Sequence, residues 1–291
     1  MNSINPDDFK VIGSINLSKI KTLLDVKADD ETKEKKLLKV QKKLSKKQDE
    51  MYAHNKYAFL ICLQGMDTSG KDSLIREVFK EFNTRGVVVH SFKTPNSSEL
   101  EHDYLWRHYL ALPEKGKFGV FNRTHYENVL VTRVHPEYIL FENLPAITKV
   151  EDITPDFWEK RFEQINNFEK HIVANGTIVL KFYLHMSKEE QRKRLLNRLE
   201  NGEDNWKFSV GDLKEREHWD EYMKYYEEAI EKTSTENAPW YVIPADDKEM
   251  SRYIVAKIIW EEIQKLTDIK EPELDEKVKA NLDVYRQQLK G

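Results

Sequence analysis

Gly65-Met66-Asp67-Thr68-Ser69-Gly70-Lys71 has the spacing G-x-x-x-x-G-K, and Asp72 follows directly. A loop of this kind turns backbone N–H groups and a helix N-terminus toward anionic oxygens, and its lysine reaches over them. The chemistry that suits it is the binding and transfer of phosphoryl groups. Two residues depart from the common pattern. Asp72 stands where a Ser or Thr hydroxyl usually reaches Mg²⁺, and Asp67 places a carboxylate inside the loop. A negative side chain among phosphate-binding groups repels the ligand unless a cation lies between them. Asp67 is therefore expected to hold a divalent ion in place of the missing hydroxyl; capping of the turn through its own backbone is the alternative.

Phosphoryl transfer asks mainly for positioning and for positive charge near the equatorial oxygens. Beyond Lys71, the cations available are Lys93 after the second strand, Arg123 and Arg133 after the third, and Arg194, Arg198 and Lys207 in a later helix–loop–helix. An arginine fork can bind two phosphate oxygens together. Each of these is also an ordinary surface charge when taken singly. A chain of phosphates would need a row of them, if they converge.

The elements that must position these residues alternate along the chain. Phe59–Gln64 is an uncharged apolar run and reads as a strand buried on both faces, followed by a helix over Ser73–Phe82. Gly86–Phe92 reads as a second buried strand, and a helix is expected from Ser98 to Leu112, stopped by Pro113. Phe118–Asn122 is a third strand, with Asn122 to Glu127 at its C-terminal end. Thr154-Pro155 opens a helix with the stripe Trp158, Phe162, Ile165, Phe168 and Ile172. Thr177–Met186 is a fourth strand, and Ser187 to Glu190 reads as a capping box. Asp212 can cap a helix striped by Trp219, Tyr222, Tyr226 and Ile230; Ala238–Pro244 is a fifth strand, and a helix ending near Leu266 follows.

Strands alternating with helices give an α/β fold, a parallel sheet covered on both faces whose strand C-termini form the binding edge. The insertion from Ser187 to Lys232 lies where phosphoryl-transfer enzymes place a lid. Residues 1–55 form a helical extension in which Leu37, Val40, Leu44 and Met51 share one helix face. The main domain spans 56–268, with the lid at about 187–232, and 269–291 form a charged tail.

Bulk properties exclude several classes. A net charge of −4 over 291 residues argues against general nucleic-acid affinity. The single cysteine, Cys62, excludes an internal disulfide and sits in the first strand as packing. No apolar run approaches the ~20 residues of a membrane span, and the N-terminal residues lack a signal peptide's pattern. A cytoplasmic location is the expectation, with no membrane and no nucleic-acid partner.

Four ordered stretches resemble the type-2 polyphosphate kinases across roughly residues 30–268. These are Gly65 to Asp72, Asn122-Arg123-Thr124-His125-Tyr126-Glu127 through Arg133, Asn205-Trp206-Lys207-Phe208, and Ala238 to Lys248. The resemblance implies a P-loop kinase-like three-layer sandwich with a five-stranded sheet and a mobile helical lid. It also implies reversible transfer of the terminal phosphate of inorganic polyphosphate to nucleoside mono- or diphosphates, with Mg²⁺ or Mn²⁺. A homo-oligomer, dimer or tetramer, is implied as well. By position, Asp67 matches the metal-holding aspartate, Lys71 the loop lysine, Arg123 and Arg133 phosphate-binding arginines, and Arg198 a lid arginine.

Asn122 departs from the aspartate that many members carry, so its metal role reduces to that of a neutral ligand. Asn122 with His125-Tyr126-Glu127 is similar to the subgroup that phosphorylates both mono- and diphosphates, AMP/ADP and GMP/GDP. Glu127 either bears on that choice or is an exposed helix acid. An ATP-dependent nucleoside monophosphate kinase is the second reading, and a nucleotide-dependent switch or ATPase the third.

Overall fold

A computed structural model describes residues 4–201, 205 and 208–291. Helix α1 (Asp30–His54) begins at Asp29, whose carboxylate accepts from the Thr32 N–H, and ends at Asn55 in the left-handed conformation. Its Leu37, Val40, Leu44 and Met51 are buried, as their helical spacing requires. Strand β1 (Ala58–Gln64) is buried along its whole length. Helix α2 (Lys71–Val78), strand β2 (Val87–Ser91) and the short helices α3 (Ser97–Leu100) and α4 (Trp106–Leu110) follow. Then come β3 (Phe118–Asn122), α5 (Glu127–Val134), α6 (Pro155–Ala174) and β4 (Thr177–His185). The insertion is built of α7 (Lys188–Glu200), α8 (Val210–Glu217) and α9 (Trp219–Thr233). The chain closes with β5 (Trp240–Pro244), α10 (Lys248–Gln264), α11 (Glu276–Ala280) and α12 (Leu282–Lys290).

The five strands are all parallel in the order β2-β3-β1-β4-β5. Alternation along β1 divides the core. Phe59, Ile61 and Leu63 pack toward α1, α2 and α10, while Leu60 and Cys62 meet Phe168 and Ile172 of α6. The chain leaves β1 toward one side of the sheet and leaves β3 toward the other. A crevice therefore opens at the C-terminal ends of the central strands, where the loop after β1 and the turn after β3 face each other. No described helix is long and apolar enough to cross a membrane.

Several local expectations are corrected. β2 is an edge strand rather than a buried one, with Val88 and Val89 exposed, since among the described residues β3 is the only strand it pairs with. The helix expected over Ser98–Leu112 breaks into α3 and α4. Asp103 Oδ1 accepts from the Leu105 N–H at 2.9 Å, and Glu99 closes a capping box with Asn96, so local polar groups compete with the ladder. Helix α2 stops at Val78 instead of Phe82. The box at Ser187 is half formed: its hydroxyl accepts from Glu190 N, but its own N–H donates to Asp246 Oδ1 at 2.8 Å, and Glu190 turns to Arg194. Ser209, not Asp212, caps α8. The tail helices α11 and α12 contain no buried residue.

Candidate active site

Between β1 and α2 the backbone folds into a tight cradle. Gly65 has φ +152°, and a Cβ there would lie 2.8 Å from Ser69 Oγ and 3.0 Å from the Leu184 carbonyl. Gly70, at φ +100°, starts α2, which leaves the first N–H groups of that helix directed into the crevice. Met66 and Ser69 are buried, Thr68 has φ +66°, and the Ser69 N–H donates to the Met66 carbonyl at 3.0 Å. Lys71 folds back over the loop, its Nζ donating to the carbonyls of Gly65 (2.5 Å) and Met66 (3.2 Å). Burial pushes its ammonium below the ordinary lysine value, against the pull of Asp67.

Across the crevice, Arg123 reaches the loop from the turn after β3. Its Nη2 donates to Asp67 Oδ1 at 2.9 Å, and its Nη1 lies 3.8 Å from Glu127 Oε2. The cation beside Asp67 is thus a guanidinium, and its carboxylate does not cap the turn. Arg123 itself sits at φ +58°, a strained position for a residue with a side chain. Glu127 is half-buried in the crevice rather than exposed, and burial raises its carboxyl above the ordinary value while Arg123 and Lys71 oppose that shift. Asn122 donates through Nδ2 to Asp72 Oδ1 (2.7 Å) and Ser91 Oγ (3.3 Å). Its Oδ1 accepts from no described residue.

Two expected phosphate ligands serve elsewhere. Arg194 is buried, and all five of its N–H groups have partners: Glu190 Oε1 at Nε, the Thr68 and Ser69 carbonyls at Nη1, and the Ala245 and Asp246 carbonyls at Nη2. It clamps the loop to the lid helix and to the β5–α10 turn, with no donor left for a phosphate. Arg133 pairs with Glu228 at 2.7 Å and lies over the rings of Tyr225 (4.4 Å) and Trp158 (5.3 Å), fastening α5 to α6 and α9. Arg198 remains at the crevice, half-exposed, with Nη1 3.3 Å from Asp212 Oδ2. Lys93 is exposed at the rim of a neighbouring cavity. Lys207 lies outside the described residues.

Sequence reasoning missed three contributors. Asp212 faces Arg198, and burial together with the charge of Asp67 raises its carboxyl. Gln191 donates to the Asp67 carbonyl at 3.1 Å and so ties the lid base to the loop. Lys248 begins α10, its ammonium lowered by burial and by the nearby arginines 194 and 252. Lys248 left a trace in the sequence as the end of the Ala238 to Lys248 stretch, and Asp212 was read there only as a helix cap.

Next to Arg123 opens a cavity of about 270 Å³, whose lining includes Lys93, Tyr104, Arg123, Glu127, Tyr138 and Phe141. Among the described residues no three His, Cys, Asp or Glu side chains are grouped closely enough to hold a metal ion. The oxygens of Asp67 and Asn122 are hard donors, suited to a cation that completes its shell with phosphate and water.

The pattern described as Polyphosphate kinase 2 matches residues 27–271. The chain belongs to the polyphosphate kinase 2 family. It is similar to an ADP-polyphosphate phosphotransferase of Rhodopseudomonas palustris, 45% identical over 276 residues covering 94% of each chain. An AMP/ADP-polyphosphate phosphotransferase of Meiothermus ruber is 45% identical over 225 residues, 77% of this chain and 79% of that one. Among solved structures, the polyphosphate kinase 2 of Arthrobacter aurescens superposes with a TM-score of 0.88 at 32% identity, covering 98% of this chain and 97% of that one. The P-loop kinase-like sandwich, with its all-parallel five-stranded sheet, is the architecture of this polyphosphate kinase 2 chain.

Proposed function

We propose that the chain transfers the terminal phosphate of inorganic polyphosphate to nucleoside mono- and diphosphates, AMP/ADP and GMP/GDP, reversibly and with Mg²⁺ or Mn²⁺. The observation that carries this reading is the convergence of Lys71, Asp67 and Arg123 across one crevice, from the loop after β1 and the turn after β3. The activities for which the Rhodopseudomonas and Meiothermus relatives are named support adenine nucleotides and polyphosphate as substrates.

The acceptor needs no protein nucleophile, because its own phosphate oxygen is ionised at neutral pH and attacks in line. The cavity beside Arg123 suits the acceptor nucleoside, with apolar rings for its body and Arg123 at the end where phosphate would lie. Lys71 exchanges its two loop carbonyls for phosphoryl oxygens, a change that also relieves a half-buried ammonium. Arg123 turns its fork to the transferred group, and the loop N–H groups hold the same charge. Arg198 closes with the lid and helps exclude water. A divalent ion, held by Asp67 and the neutral oxygen of Asn122, would supply charge neutralisation between donor and acceptor phosphates. The assembly is proposed to be a homo-oligomer, and the location cytoplasmic.

Incubation of ADP with polyphosphate and magnesium, without ATP, tests the reading. Formation of ATP is expected, and no nucleoside triphosphate would return the chain to an ATP-dependent monophosphate kinase. Product analysis with AMP, ADP, GMP and GDP then resolves the acceptor range.

A further inference from the structure

Beneath the strained turn that carries Arg123 lies a buried group of charges. Lys181 on β4 is fully buried, and its Nζ donates to Glu169 Oε2 (2.6 Å), Tyr126 Oη (2.9 Å) and the Thr233 carbonyl (2.7 Å). All three ammonium hydrogens are thereby used. Glu169 on α6 is also buried, and its other oxygen faces the turn. Oε1 accepts from Tyr126 Oη at 2.7 Å and lies 3.1 Å from His125 Nε2. The two carboxylate oxygens have separate tasks, one toward the lysine and one toward the turn.

Taking a lysine and a glutamate out of water is costly, and an apolar pair of similar volume often fills a core at least as well. Their burial therefore calls for a reason other than stability. His125 and Tyr126 follow Arg123-Thr124 directly, and a backbone strained as at Arg123 persists only where its surroundings over-determine it. Thr124 Oγ1 accepts from Gln64 Nε2 and from the Tyr126 N–H, each at 3.1 Å. Asn128 Nδ2 donates to the His125 carbonyl at 3.0 Å. Glu169 supplies the remaining anchor by holding both ring side chains from below. The third Lys181 bond, to Thr233 at the end of α9, fixes the returning lid helix to the same point.

We infer that Glu169 and Lys181 are positioning residues for phosphoryl transfer, holding His125 and Tyr126 so that Arg123 meets Asp67 and the loop. This role rests on the phosphotransfer reading, which wild-type activity tests separately.

Two double variants examine the anchor. Lys181→Met with Glu169→Gln removes both charges but keeps an oxygen that accepts from Tyr126 and His125. Lys181→Met with Glu169→Leu removes that oxygen as well. The glutamine variant is expected to melt near wild type, since it leaves no lone buried charge. The leucine variant should melt lower, because the buried Tyr126 hydroxyl and His125 Nε2 lose their acceptor. The glutamine variant should keep kcat within a few-fold of wild type. The leucine variant should lose about a hundredfold in kcat, the scale of a small misplacement of a catalytic group, with little change in the nucleotide KM. Equal kcat in the two folded variants would overturn the role, as would a kcat loss that merely follows the melting temperature. Should the leucine variant fail to fold, Tyr126→Phe decides, because it removes one anchored hydroxyl and keeps the core volume. A drop in kcat at unchanged KM supports the anchor, and wild-type kcat refutes it.

Discussion

Arg194→Lys separates a loop clamp from a phosphate ligand. The guanidinium satisfies one carboxylate and four backbone carbonyls in a buried setting. An ammonium has three donors, so at least two of those five acceptors lose their partner. A hydrogen bond to a charged group contributes about 1.5–3 kcal/mol, which puts the loss at roughly 3 kcal/mol or somewhat more. For a chain of 291 residues, at an unfolding entropy of about 2.1 cal/mol/K per residue, that corresponds to a fall of roughly 5 °C in melting temperature. The assay is a thermal melt of the full chain without substrate, beside the same melt for Arg198→Lys. Arg198 is half-exposed and its pair with Asp212 contributes no more than about 1 kcal/mol, so that variant should melt close to wild type. Both variants lower activity, but for different reasons. Should Arg194→Lys melt with wild type while its activity collapses, the clamp is wrong and a phosphate role is restored.

Other outcomes follow from the same geometry. Asp67→Asn should abolish transfer while leaving the melting temperature nearly unchanged, since its pair with Arg123 is partly exposed; full activity in Mg²⁺ would remove the metal role. Lys71→Ala should cost kcat about 10²–10³-fold, or roughly 3–4 kcal/mol, in steady-state assays, and a change confined to KM would show that Lys71 binds substrate and transition state equally. His185 bears on acid stability. Burial holds its pKa below the ordinary 6.5, so the folded chain keeps the ring neutral while the unfolded chain takes up a proton. The resulting stability is complete above pH 6.5 and is lost as pH falls through the lower folded value, by at most about 1.4 kcal/mol per pH unit. Denaturation of His185→Gln between pH 7 and 5 should show a shallower slope than wild type, and identical slopes would contradict this.

Much of the fold was legible because its signals are local. An uncharged run before G-x-x-x-x-G-K announces a buried strand, a loop and a helix within about fifteen residues. The Thr154-Pro155 start and the stripe of α6 likewise need no distant partner. Burial of a strand is another matter. Val87, Val88 and Val89 read as core, yet the strand they form lies at the end of the sheet, and strand order is decided by which crossovers pack together. The break between α3 and α4 was hidden for a related reason, since Glu99 and Asp103 can support either a helix or a turn.

In the candidate site the same division holds. Residue types and spacing by themselves determined a phosphate cradle, its lysine, its unusual carboxylate and an arginine at the end of a neighbouring strand. Only the tertiary structure decided which cations face the crevice. Arg194 meets the Thr68 carbonyl from 126 residues away, Arg133 finds Glu228 and two rings on other helices, and Lys181 and Glu169 reach the Arg123 turn from a strand and a helix on the far side of it. A guanidinium or an ammonium takes whatever acceptors surround it, and those acceptors are brought together by packing rather than by neighbouring positions in the chain.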